Sequence, residues 1–157
     1  MAAVVARLAE PSEVDAADVA RLLHDFNTEF NTASPGPQVL AARVRRLLAQ
    51  GATYAVLAGT PPIGIALVTV RPNVWYDGPV ALLDELYVAP DHRGQAVGTA
   101  MIDAVRAEAR ARHAELIEIN VDEGDTDARR FYERHGFTSI EPDTGEGALY
   151  YHGPVDH

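Results

Sequence analysis

Residues Ala89–Met101 read APDHRGQAVGTAM. The chain carries 13 basic and 23 acidic residues, a net charge of −10, yet it places no carboxylate between Asp91 and Asp103 and sets Arg93, Gly94 and Gly98 there instead. Before this stretch, VALLDELYVA (Val80–Ala89) reads as a strand stopped by Pro90; after it begins a long helical run, GQAVGTAMIDAVRAEARARH. A strand, a small-residue loop and a helix start make an anion cradle, because first-turn N–H groups point outward with the positive end of the helix dipole behind them. The two glycines let backbone approach a phosphate, Arg93 adds charge, and the missing acids remove repulsion. The stretch therefore reads as a diphosphate seat, with close helix-to-strand packing as the other reason for its glycines. A P-loop needs lysine where Thr99 stands, and a dinucleotide fingerprint needs a third glycine and a ribose-binding acid.

Working outward, AVVARLAE (Ala3–Glu10) predicts a first strand and SEVDAADVARLLHDFNTEF (Ser12–Phe30) a helix, with apolar spacing through Val14, Val19, Leu22, Leu23 and Phe26. NTASPGP breaks the chain, and QVLAARVRRLLAQ (Gln38–Gln50) resumes a helix that Gly51 ends. TYAVLAG (Thr53–Gly59) and IGIALVTVRP (Ile63–Pro72) form a hairpin. Beyond the long helix come a strand in AELIEINVD (Ala114–Asp122), a helix in DTDARRFYERH (Asp125–His135) closed by Gly136, and two short strands in FTSI (Phe137–Ile140) and ALYYHG (Ala148–Gly153). A crossover through the Gly94–His113 helix would set the strands of Leu82–Val88 and Leu116–Val121 side by side and parallel. The expectation is an α/β (α+β) fold in one domain, 1–157, with a mixed, mostly antiparallel sheet of six to seven strands and helices on both faces.

Composition narrows the chemistry. All 13 basic residues are arginine, so no lysine is present to form a Schiff base, and zero cysteines exclude disulfides and a thiol nucleophile. The negative field disfavours nucleic acid and anionic membranes and favours cationic ligands. The opening MAAVVARLAE is too soon interrupted by Arg7 and Glu10 for a signal peptide, and no run of about 20 apolar residues exists, so a soluble cytoplasmic protein is expected. His24, His92, His113, His135, His152 and His157 show no metal-binding spacing, and Ser12, Ser34 and Ser139 sit in no nucleophile elbow. No metal and no acyl-enzyme are expected.

QAVGTA (Gln95–Ala100), preceded by LYVAPDHRG, fits the pattern Arg or Gln, two residues, Gly, one residue, Gly or Ala. DTDARRFYERHGF (Asp125–Phe137) fits a second pattern of Asn, two residues, Ala, two residues, an apolar residue, Tyr, three residues, Gly, Phe, with Asp125 at the Asn place. Together they resemble the GNAT superfamily of N-acetyltransferases, firmly from about Val80 to Phe137 and by topology over the first 60 residues. The resemblance implies acetyl-coenzyme A as co-substrate and a central parallel strand pair that splays apart. Main-chain N–H groups around Leu86, Tyr87 and Val88 would then hold the pantetheine and a developing oxyanion. The loop Arg93, Gly94, Gln95, Ala96, Val97, Gly98 and Thr99 would hold the diphosphate, with Asp125, Ala128 and Tyr132 along the cofactor arm. Ala96 stands where many relatives have glycine; Asp125 either caps its helix or weakens cofactor contact.

By the same resemblance Tyr132 is the general acid for the leaving thiolate, with packing as its plainer role. Asp84 and Glu85 lie on the strand leading to the cradle and, alternating, face opposite sides of the sheet, so that one looks into the cleft as the base. Glu85 is the first choice and Asp84 the second; either can instead be an arginine-paired surface carboxylate. The family's topology makes Phe26, Asn27, Glu29, Phe30, Trp75, Tyr76 and Tyr150 candidates for the acceptor pocket. The expected reaction is direct acetyl transfer, in a ternary complex, to the primary amine of a small cationic molecule. A peptide or protein amino group, or a non-catalytic acyl-coenzyme A sensor, are the other readings. Relatives that dimerise through their last strands suggest a homodimer through the segment holding Tyr150 and Tyr151.

Overall fold

The computed structural model describes residues 3–156, so His157 lies outside it. The chain divides into two compact units with the boundary between Ile119 and Asn120. The first unit holds five strands and three helices: β1 (Ala6–Leu8), α1 (Glu13–Glu29), α2 (Pro37–Gln50), β2 (Thr53–Ala58), β3 (Gly64–Arg71), β4 (Val80–Val88), a single 3₁₀ turn at Pro90–His92, α3 (Val97–Ala111) and β5 (Leu116–Ile119). The second holds α4 (Thr126–Arg134).

The sheet runs β1-β2-β3-β4-β5, antiparallel throughout except for the parallel pair β4–β5, as the crossover through α3 predicts. Among the described residues five strands form, where the sequence predicts six to seven. The two missing ones are the C-terminal segments. Ile140 and Gly147 make one isolated bridge, closed by Glu141 N to Glu146 O (2.8 Å) and Ala148 N to Ser139 O (2.7 Å). Beyond it Leu149, Tyr150 and Tyr151 are exposed and unladdered. Their β-favouring side chains are not enough, because a strand is stabilised by cross-strand partners and burial rather than by its own preference.

Adjacent residues of β2 show how the sheet's two faces are covered. Ala55 joins Ala16, Val19 and Leu22 of α1 and Val44 of α2 in one buried cluster, together with Leu57, Ile65 and Tyr87. Tyr54, its neighbour, points the other way and donates its hydroxyl to the Val105 carbonyl of α3 (2.9 Å). From α3, Val97, Met101, Ile102 and Val105 are all buried. Each such side chain contributes about 1.5–3 kcal/mol on leaving water. Ser12 starts α1 by accepting from Asp15 N (3.2 Å). The buried Asp15 carboxylate ties β1 to that helix through two 2.8 Å bonds from Arg7 and one from Glu10 N, and the arginine holds it below its ordinary pKa. Among the described residues no helix is long and apolar enough to cross a membrane.

One irregularity matters for the site. Leu67 pairs with Glu85 and Val68 with Leu83, so Asp84 is an extra residue on β4, a β-bulge.

Candidate active site

The parallel ladder between β4 and β5 runs from Val80–Leu116 to Leu83–Ile119 and stops there, while β4 continues to Val88. Among the described residues, β4 is paired over this second half with β3 alone. Ala89 N donates to Ile63 O (2.8 Å), and in an antiparallel ladder the residues bonded to the partner alternate with residues that face away. Counting back, Tyr87 is directed at β3, and Leu86 and Val88 turn their N–H groups to the side that β5 has left. The predicted trio thus reduces to two main-chain donors, with Tyr87 occupied in the ladder.

The loop follows directly. Arg93 is extended, Gly94 has φ 74° with open space where a side chain would be, and Ala96 sits at φ 62° as the N-cap of α3. No side chain caps this helix start and no acid lies in its first turn. The first helical bond runs from Ala100 N to Ala96 O (3.1 Å), and Gln95 turns its amide back to Asp91 O (3.4 Å). An uncapped, acid-free helix start preceded by a left-handed residue matches what a diphosphate needs. The left-handed conformation costs an L-residue about 1–2 kcal/mol, of which glycine's greater freedom when unfolded gives back about 0.5–1. Ala96→Gly is therefore expected to raise stability by about 0.5–1 kcal/mol, read as a higher urea midpoint at unchanged slope.

Arg93 departs from its predicted place. Its guanidinium grips Glu29 at the end of α1, Nη1 to Oε2 at 2.8 Å and Nη2 to Oε1 at 2.9 Å, while Nε donates to Val88 O at 3.0 Å. The Tyr87 hydroxyl donates to the same carboxylate (3.0 Å), and the guanidinium lies 5.6 Å from that ring's centre. Arg93 and Tyr87 together hold Glu29 below its ordinary pKa; burial, then the Glu29 contact, pushes Tyr87 up to about 12. Glu29, expected to greet a cationic acceptor, already has its cation. Phe26 stacks on Tyr87 (4.9 Å between ring centres) and Phe30 meets Phe26 edge-on (5.4 Å), so these two candidates do gather beside β4.

The bulge corrects the expectation for the two carboxylates. Glu85 stands opposite Leu67, on the face covered by α1; Asp84 accepts from the Thr69 hydroxyl, and Thr69 lies on that same face two residues from Leu67. Alternation is broken between them, so both project to one side. Burial raises the pKa of each, helped at Glu85 by the Asp84 charge and opposed at Asp84 by the Thr69 bond. Thr69 is a site residue the sequence does not announce, since only the pairing of β3 with β4 brings it there.

Other candidates lie apart. Trp75 and Tyr76 sit on the β3–β4 turn, which Asn73 shapes by accepting from both of their N–H groups (2.8 and 2.9 Å). That turn is at the opposite end of β4 from the cradle, roughly 26 Å along the strand at about 3.3 Å per residue. A concavity of about 280 Å³ beneath it is lined by Val70, Arg71, Pro72, Asn73, Asp77, Gly78 and Pro79. It contains none of the predicted residues.

In the second unit Asp125 caps α4, accepting from Ala128 N (3.1 Å), which is the capping role of the two expected. Tyr132 lies between Phe131 (5.4 Å) and Phe137 (6.2 Å), edge-on to both. Tyr150 stacks on His152 and is exposed. Among the described residues no group of three or more His, Asp or Glu could hold a metal ion.

Comparison with known proteins agrees with this fold. The family model described as "Acetyltransferase (GNAT) family" matches residues 17–137. A solved protein of Arthrobacter sp. FB24, named as an inferred acetyltransferase, is 53% identical over 96% of each chain, with a TM-score of 0.89. An aminoglycoside acetyltransferase from an uncultured soil metagenomic sample, solved with sisomicin, shares 17% identity over 97% of this chain and 96% of its own (TM-score 0.78). An aminoglycoside N-acetyltransferase solved with CoA shares 16% over 96% and 94% (TM-score 0.76). The latter two likenesses are of fold. No curated protein matches the sequence.

Proposed function

Since the chain belongs to the GNAT acetyltransferase family, whose reaction is acyl-coenzyme A-dependent acetyl transfer, we propose that it acetylates the primary amine of a small cationic molecule in the cytoplasm. The observation that carries this reading is the split between β4 and β5 after Leu83 and Ile119, opening beside an uncapped, acid-free helix start. The residues fit the co-substrate: Leu86 and Val88 N–H groups would hold the pantetheine, and the backbone of Gly94 to Thr99 the diphosphate. When bound, acetyl-coenzyme A supplies the acetyl thioester. Glu85, with its raised pKa, would take the proton from the acceptor ammonium, and Asp84 beside it would hold the cation before transfer. From the second unit Tyr132 would return a proton to the leaving sulfur, a role carried by its motif alone. We assign both units to one acetyltransferase domain and the reaction to direct transfer, there being no cysteine to carry an acyl group.

The cationic acceptor is supported by the net charge of −10 and by two carboxylates on one face of β4. Two of the fold relatives act on aminoglycosides by name, which fits an amine of that class. Thiol release from acetyl-coenzyme A, followed over a panel of polyamines, aminoglycosides and peptide amino termini, is expected to be fastest with the small polycations. Preference for a peptide terminus would replace the acceptor; coenzyme binding without turnover of any amine would leave a sensor.

A further inference from the structure

Arg93 is the one cation of the cradle's loop, and its side chain is bonded to Glu29, 64 residues earlier in the chain. Four bonds converge there: two from the guanidinium to Glu29, one from the Tyr87 hydroxyl to Glu29, and one from Arg93 Nε to the Val88 carbonyl. The last has a specific effect. Val88 directs both its carbonyl and its N–H to the open side of β4, and the arginine consumes the carbonyl, leaving the N–H. At Val88 the strand thus offers a donor whose own carbonyl is already bonded, the polarity that an anionic or carbonyl-bearing ligand requires. A planar guanidinium held by a bidentate carboxylate also has few ways to move, so the loop between β4 and α3 inherits the position of α1.

We propose that Glu29 is a positioning residue for coenzyme binding, acting through Arg93 to fix the Val88 N–H and the following loop in their receptive geometry. This rests on the coenzyme A reading above and goes beyond it, because it moves Arg93 from phosphate ligand to strut and Glu29 from acceptor recognition to cofactor placement. An exposed pair of this kind adds little to global stability, so its effect belongs in binding.

The test is a double-mutant cycle with coenzyme A itself, titrated calorimetrically into the full chain. Glu29→Gln and Arg93→Gln are each expected to weaken binding by roughly tenfold, and the double variant to bind no worse than the weaker single one, as for two members of one network. Thermal midpoints should stay close to the parent's, and in turnover the loss should fall on KM for acetyl-coenzyme A more than on kcat. If Glu29→Gln binds as well as or better than the parent while Arg93→Gln binds worse, Arg93 touches the phosphates directly and the proposal is overturned. Additive losses overturn it too. Failure of the parent chain to bind coenzyme A is a separate result, and it removes the cofactor reading itself.

Discussion

Glu85→Gln is expected to lower turnover of the best acceptor amine by about a hundredfold or more, the usual contribution of a positioned general base, with much less change in coenzyme affinity. Glutamine keeps the size and the polar end of the side chain opposite Leu67 but has no basic oxygen. The pH profile gives the sharper signature. Burial, reinforced by the Asp84 charge, raises the Glu85 pKa, so the group is a competent base only above that raised value. Activity should therefore fall as pH drops through it, with the acidic limb of kcat/KM above the ordinary carboxylate range. Asp84→Asn removes the neighbouring negative charge while keeping a side-chain oxygen to accept from the Thr69 hydroxyl, which lowers the Glu85 pKa and moves that limb to lower pH. An unmoved limb in Asp84→Asn, or full activity in Glu85→Gln, would take the base assignment away from Glu85.

The second large effect is on stability. Gly78 ends the β3–β4 turn, where its carbonyl accepts from Asn73 Nδ2 (2.9 Å). A Cβ placed on it would lie 1.9 Å from the His113 carbonyl oxygen, and neither partner is a flexible side-chain end. His113 itself has φ 63° just past the end of α3, so its backbone has little freedom to retreat. Gly78→Ala should cost about 3 kcal/mol, the upper part of the overpacking range, because the turn must pull away from the helix exit and loosen the strand that carries Glu85. Gly124→Ala, where nothing lies within 4 Å, is the matched control and should change stability by a few tenths of a kcal/mol. Urea unfolding of the two variants beside the parent checks both; equal midpoints would show that the close contact is readily relieved.

Local signals carried most of the architecture. Ser12 capping α1 and Gly51 closing α2 each act within a turn of their own position, so the sequence marks those helix ends almost to the residue, while Pro37, read as part of the preceding break, is the first residue of α2. The uncapped, acid-free start of α3 was legible for the same reason, being a property of thirteen consecutive residues. What was hidden depends on pairing between distant segments. LLDELYV carries no mark of the bulge, because the surplus residue exists only relative to β3, and strict alternation wrongly separated Asp84 from Glu85. Nothing near Arg93 announces that its partner is Glu29. FTSI and ALYYHG failed in the opposite sense, having strand-like composition but no ladder to join.

The unzipped half of β4 has a bearing on handling as well as on chemistry. A row of main-chain donors without a neighbouring strand is what a foreign segment needs to dock by β-addition, and such a row is a solubility hazard unless something sits on it. On the reading proposed above, a coenzyme lying along Leu86 and Val88 would act as a removable edge guard. Its concentration would then set how long purified material stays dispersed, as well as how fast it works.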